Sequence, residues 1–300
     1  MNKPRLNGST RFSDSCLNAF NPGVRRKNRL GRRERLENSS TVQSGSMSNE
    51  AEPWRAAPVQ PPFPVDRIDV WQICLDAPES AVDLQEVLAR DEIGRAERFH
   101  FTRDRQHFVR CRSAVREILG RYLGIPAQDI RFSYEANGKP QVVEDQNPQQ
   151  LRFNISHSSG LAVIAVASVR AIGVDVEKIR PDVEYLELAE RFFSTNEYQA
   201  LSAMPSNQLA RAFFACWTRK EAFIKACGDG LSFPLSEFSV SIDPDAPATL
   251  QEVRTDPRAA TRWSLFNLVP QEGFIGALAV EGPPQPIEQW RFDLDAESEG

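Results

Sequence analysis

The chain has 300 residues, 41% of them hydrophobic, and a formal net charge of −5. Residues 1–50 hold ten basic and four acidic groups, so the remaining 250 residues balance at −11, and a body this acidic excludes general nucleic-acid binding, which needs a basic footprint. No apolar run reaches the roughly 18–20 residues of a membrane span and the N-terminus has no hydrophobic signal core, so a cytoplasmic protein without a membrane partner is expected. Residues 1–64 read as a disordered tail, rich in Ser, Asn, Arg and Pro and without periodicity. Its basic run over 25–35 reads as solvated chain rather than a targeting arm. From residue 68 the pattern becomes regular. Ile68–Leu75 alternates like a strand, and residues 80–99 predict two short helices. Residues 102–123 predict a long helix with the apolar stripe Phe108, Cys111, Val115, Ile118 and Tyr122, stopped by Gly124. Strands follow near 130–135, 151–155 and 161–169. The order then recurs: a strand at 171–177, helices at 183–193 and 195–203, a long helix at about 207–227 closed by Gly228, and strands near 237–242, 262–269 and 274–281.

The recurrence predicts an α+β fold, an internally duplicated pseudo-dimer of two similar α/β halves with the active site in the cleft between them. The expected boundaries are a tail at 1–64, a first half at 65–170, a second half at 171–292 and an acidic flexible tail at 293–300. Five cysteines show no paired spacing and read as free thiols, with Cys111, Cys216 and Cys227 buried in helices.

Chemistry concentrates in three places. Asp175 and Glu177 are i and i+2 on a strand and so share a face, with Val174 and Val176 turned to the core. Glu221 and Lys225 are one turn apart on the second long helix. A hard cation such as magnesium favours carboxylate oxygens and keeps phosphate or water as its other ligands, so three acids with a lysine beside them suggest a magnesium–phosphate site. Lys220 falls on the apolar stripe of that helix and reads as structural or site-ordering. The third place is Phe153–Gly160, where Ser156, His157 and Ser158 offer anion donors in a polar turn. Arg105, Arg112 and Arg116 share a face of the first long helix opposite its stripe, a solvated face for Arg105 and Arg116. Lys139 stands on the Asn137–Pro140 turn. No zinc spacing, P-loop or dinucleotide fingerprint occurs.

In order, the segments Arg95–Phe99, Gly138–Pro140, Phe153–Ser158, Ile172–Glu177, Arg191–Ser194, Trp217–Lys225, Gly228–Ser232 and Phe238–Val240 resemble the 4′-phosphopantetheinyl transferases of the surfactin-synthetase-activating type, over residues 68–280. The resemblance implies transfer of the phosphopantetheine arm of coenzyme A to a serine of an apo acyl or peptidyl carrier protein, with release of adenosine 3′,5′-bisphosphate. It implies a monomer that uses magnesium. Asp175, Glu177 and Glu221 would hold the metal, Glu221 would be the base, directly or through a metal-bound water, and Lys225 would neutralise the phosphate. Arg95, Arg112, Lys139, Ser156, His157 and Lys225, with Asp175, would bind coenzyme A. Relatives often carry a basic residue three before Arg95, where this chain has Glu92; that contact to the adenosine 3′-phosphate would fall to Arg95 alone or with Arg98. The alternative is a non-catalytic binding module for coenzyme A or a carrier on the same fold, against which three retained acids argue.

Overall fold

The computed structural model describes residues 54–76, 84–228 and 233–294. The basic run at 25–35, the start of the expected helices at 80–99, Asp229–Ser232 and the tail beyond 294 lie outside the described residues. Residues 54–64, expected in the disordered tail, are placed: β1 (Arg55–Ala56) lies parallel to a late strand, and Ala57 and Phe63 pack on the core.

The fold is mixed α/β. The first half runs β2 (Ile68–Cys74), α1 (Arg90–Ala96), α2 (Thr102–Leu123), the small hairpin β3 (Phe132–Tyr134) and β4 (Pro140–Val142), then the hairpin β5 (Leu151–Ser158) and β6 (Leu161–Ser168). The second half runs β7 (Ile172–Lys178), α3 (Tyr185–Phe192), α4 (Thr195–Ser202), α5 (Ser206–Cys227), the small hairpin β8 (Phe238–Val240) and β9 (Leu250–Val253), α6 (Ala259–Arg262), then β10 (Trp263–Leu268) and β11 (Phe274–Glu281). α2 and α5 are both 22 residues long, and each ends on a left-handed glycine, Gly124 at φ 66° and Gly228 at φ 79°. In the first sheet β2 pairs with β6 and β6 with β5; in the second, β7 pairs with β11 and β11 with β10, all antiparallel.

One strand departs from the expected boundaries. β12 (Ile287–Phe292), assigned by sequence to the second half, pairs in parallel with β2, from Ile287 opposite Ile68 to Phe292 opposite Ile73. The first sheet therefore reads β1-β12-β2-β6-β5. No helix among the described residues is long and apolar enough to cross a membrane.

The layers follow from the alternation. Even positions of β6 (Ala162, Ile164, Val166) join Cys111, Val115, Ile118 and Tyr122 of the α2 stripe in one core, together with Trp71 and Phe153; Phe108 packs with Leu88 and Ala96 instead. Odd positions (Leu161, Val163, Ala165, Ala167) meet Ile172, Val174, Val176 and Leu278 in a second core between the two sheets. Ile275, Ala277 and Ala279 of β11 turn the other way, into the core built by Phe213, Trp217 and Phe223 of α5. Cys111 and Cys216 are buried, but Cys227 is exposed, against expectation, because it falls in the last turn of α5.

α2 buries more than its apolar stripe. Arg116, read as solvated, is 1% exposed; its Nε donates to Glu92 Oε2 at 2.6 Å and its Nη1 to the carbonyls of Ala127 and Ile130 at 2.9 Å each. Arg112 Nε donates to Glu92 Oε1 at 2.7 Å. Glu92 Oε2 also accepts the Ala89 amide at the start of α1. Glu92 is thus the counter-charge of two buried arginines, and the two guanidiniums beside it hold its carboxyl below the usual range despite burial. Lys220 is fully buried; it pairs with Glu197 at 2.8 Å and donates to the Leu235 and Phe238 carbonyls, which fits the structural reading.

Candidate active site

β7 presents its acids to α5. Val174 and Val176 point into the core between the sheets, so Gly173, Asp175 and Glu177 occupy the opposite face. Gly173 admits the helix: a Cβ there would lie 2.1 Å from the Ala222 carbonyl oxygen and 2.4 Å from the Ala226 nitrogen. At that approach Lys225 Nζ reaches Asp175 Oδ1 at 2.7 Å, Ser156 Oγ at 3.1 Å and the Val174 carbonyl at 3.2 Å. Glu221 is buried one turn earlier on the same helix.

β5 closes the other side. β5 and β7 are the edge strands of their sheets, and the β7 amides that face β5 are satisfied by side chains. Asn154 Oδ1 accepts from Val174 N at 2.8 Å, Ser156 Oγ from Val176 N at 3.3 Å, and Ser158 Oγ from Lys178 N at 3.2 Å. Both serine protons then go to the acids: Ser156 Oγ donates to Asp175 Oδ1 and Ser158 Oγ to Glu177 Oε2, each at 2.8 Å. The polar alternation Asn154, Ser156, Ser158 along β5 was the sequence signal for this ladder; Asn154 was not singled out from it.

The predicted residues therefore divide. Asp175, Ser156 and Lys225 are brought into one knot, with Glu177 beside it and Glu221 on the same helix. Ser156 Oγ gives its one proton to Asp175 and accepts from two donors, so in this arrangement its hydrogen bonding is complete. Lys139 Nζ donates to the Ile172 and Lys225 carbonyls at 3.1 and 2.7 Å, placing its charge at the C-terminal end of α5; burial lowers its pKa. A cavity of about 320 Å3 opens beside Lys139, bounded also by Arg152, Phe153, Ile172 and Cys227 and by none of the three acids. His157 is half-buried on the α2 side of β5, the side of Phe153 and Ile155. Burial, with help from Lys225 and His107, pushes its pKa down to about 4, so it is neutral at pH 7. Arg95 lies over the Phe108 ring at 5.5 Å. Arg112 stands apart at 1% exposed, bound to Glu92 and with its Nη2 3.3 Å from the Tyr134 hydroxyl.

Burial raises the pKa of Asp175, against the opposing pull of Lys225 and Ser156. Its Oδ2 is buried and receives no hydrogen bond, a costly state for a carboxylate oxygen that an arriving cation would relieve. Among the described residues no group of three or more His, Cys, Asp or Glu side chains is gathered as a metal site. The positive charge beside Asp175 is the Lys225 ammonium. Hard carboxylate oxygens with an orphaned lone pair nevertheless fit magnesium, which needs only one or two protein carboxylates when a substrate supplies phosphate oxygens.

Comparison with known proteins points one way. Residues 76–169 match the family model described as 4'-phosphopantetheinyl transferase, N-terminal, and residues 171–279 match that of the 4'-phosphopantetheinyl transferase superfamily. The chain is 40% identical to the 4'-phosphopantetheinyl transferase HetI of Nostoc over 228 residues, covering 76% of this chain and 93% of that protein. It is 34% identical to a putative 4'-phosphopantetheinyl transferase of Synechocystis (61% of this chain, 72% of the relative) and 33% identical to the 4'-phosphopantetheinyl transferase Sfp of Bacillus subtilis (61% and 80%).

Proposed function

The chain belongs to the 4′-phosphopantetheinyl transferase superfamily, and on that premise we propose that Asp175 and Lys225, with Glu177 and Glu221, carry the reaction. The reaction moves the 4′-phosphopantetheine arm of coenzyme A onto a serine hydroxyl of a carrier protein and releases adenosine 3′,5′-bisphosphate. The hydroxyl oxygen attacks the phosphorus bearing pantetheine, the bridging P–O bond of the pyrophosphate breaks, and the hydroxyl proton passes to a base. Glu221 is that base, a buried carboxylate on a rigid helix. Lys225, already tied to Asp175, offers its ammonium to the phosphoryl oxygens. Asp175 and Glu177, with Glu221, would hold magnesium. Bound there it supplies charge neutralisation as the phosphoanhydride opens.

Lys139 and neutral His157 serve the coenzyme A phosphates, with Arg95 as the accessible arginine. Ser156 acts mainly by holding Asp175 and Lys225. Arg112, which ties α2 to α1 through Glu92, would be a further coenzyme A contact. The shared order of elements and the shared pairing pattern of the two sheets support an internal duplication, a pseudo-dimer with the site on the β5–β7 seam. The working unit on this reading is a monomer of the surfactin-synthetase-activating type, its first half 65–170 and its second half 171–286, with β12 returned to the first. Fatty-acid, polyketide, peptide-synthetase and lysine-pathway carriers are all candidates.

The observation that carries the proposal is the hydrogen-bonded approach of Lys225 on α5 to Asp175 on β7 across Gly173. Its test is fluorescent coenzyme A labelling of an apo carrier by Glu221→Gln. We expect the rate to fall by about 10²-fold or more, the scale of general-base catalysis, with the melting temperature unchanged. Labelling at the parental rate would remove Glu221 from the chemistry; carrier binding without turnover by the parent chain would favour a binding module.

A further inference from the structure

We propose that Ser158 is a positioning residue that sets the Glu177 carboxylate for its cation, an inference that rests on Glu177 being a metal ligand. Ser158 is 9% exposed and ends β5. Its Oγ accepts the Lys178 amide at 3.2 Å and lies 2.8 Å from Glu177 Oε2. A hydroxyl has a single proton. The amide occupies an oxygen lone pair, so that proton is directed away from the backbone and towards the carboxylate. The residue that fixes the β7 backbone at the Lys178 amide thereby also fixes the rotation of Glu177, the residue just before that amide. Ser156 repeats the geometry two residues earlier, accepting from Val176 and donating to Asp175. The two carboxylates are thus aimed by two hydroxyls on the facing strand, while Oδ2 of Asp175 receives no hydrogen bond. Hydrogen-bonded partners of this kind, one step removed from the metal, typically govern about 10–100-fold of metal affinity.

The experiment uses the full chain. Manganese binding is followed by the loss of the free-ion electron paramagnetic resonance signal, with coenzyme A present and no carrier, for the parent, Ser158→Ala, Ser158→Thr and Glu177→Gln. Ser158→Ala should weaken manganese binding about 10-fold or more, with KM for coenzyme A at saturating metal nearly unchanged. Ser158→Thr, which keeps the hydroxyl on a residue suited to a strand, should restore it. If Ser158→Ala fails to fold, Ser158→Cys, close in size and a weaker donor, takes its place with the same expectation. Parental manganese affinity in Ser158→Ala, or in Ser158→Cys, while Glu177→Gln loses it, overturns the role of Ser158 and leaves Glu177 standing. Parental affinity in Glu177→Gln overturns the metal reading itself. A lower melting temperature with unchanged manganese affinity would make Ser158 a purely structural link and also overturn the proposal.

Discussion

Glu92 neutralises two guanidiniums that solvent does not reach. Removing one partner of a buried ionic group leaves the others uncompensated, which typically costs about 3–5 kcal/mol. We expect Glu92→Ala to destabilise the fold by that much in urea, and by more than Arg105→Ala, since the Arg105 hydrogen bond to Gln85 is exposed. Equal effects would contradict the burial. His157 gives the pH prediction. Its folded pKa, about 4, lies below the ordinary 6.5, so between those values the unfolded chain takes up a proton that the folded chain refuses. The His157 contribution to stability is fully present above pH 6.5 and falls as the pH drops through that window. His157→Gln should flatten the fall between pH 7 and 5, read from urea midpoints. At this scale the sequence was only partly legible. The sharing of a face by Asp175 and Glu177 follows from a period of two. The fate of the α2 arginines does not, because periodicity separates the apolar stripe from the rest but cannot tell that α1 and residues 127–130 cover the other side.

At the scale of elements, helix approach is set by single atoms. Gly173→Ala puts a methyl against the α5 backbone, and overpacking of this kind costs about 1–3 kcal/mol. Shifting α5 also displaces Glu221 and Lys225 together, and a misplacement of about 1 Å can cost about 10²-fold in rate. We therefore expect Gly173→Ala to lose transferase activity far beyond its loss of stability. Gly124→Ala is the matched control. Nothing lies within 4 Å of a Cβ there, but φ is +66°, so about 1–2 kcal/mol of stability goes and activity at low temperature stays. Both long helices and their glycine stops were readable because stripe and stop are local. The β8–β9 pairing was not, and the alternation of Asn154, Ser156 and Ser158 did not tell which strand its ladder would meet, because the partner of each strand edge lies far away in the chain.

At the scale of the molecule, β12 is the piece the sequence misplaced. Ile287–Phe292 follows the second half in the chain, yet Trp290 and Phe292 put their rings 6.2 and 6.0 Å from that of Trp71 in the first. Trp54 adds a second tie, donating from Nε1 to the Val269 carbonyl at 3.0 Å. Ending the chain after residue 286 should remove Ile287, Trp290, Phe292 and Leu294 from the cores and both pairings of β12, with β2 and with β1, from the first sheet. A drop in melting temperature of about 10 °C or more is expected for a loss of several kcal/mol at this size, with labelling lost as the seam loosens. Ending after residue 294 should change neither.

β12 also imposes an order on synthesis. Its register joins residues more than two hundred positions apart, and contacts of such separation form slowly because the intervening chain must first be closed into a loop. As the ribosome delivers the chain, β2 emerges well before β12 and waits beside an open edge until residues 287–292 are free. The first sheet, although begun first, is therefore completed only after β7–β11 have been made, and until then its bare strand is where a newly made chain is most open to capture by a neighbouring chain.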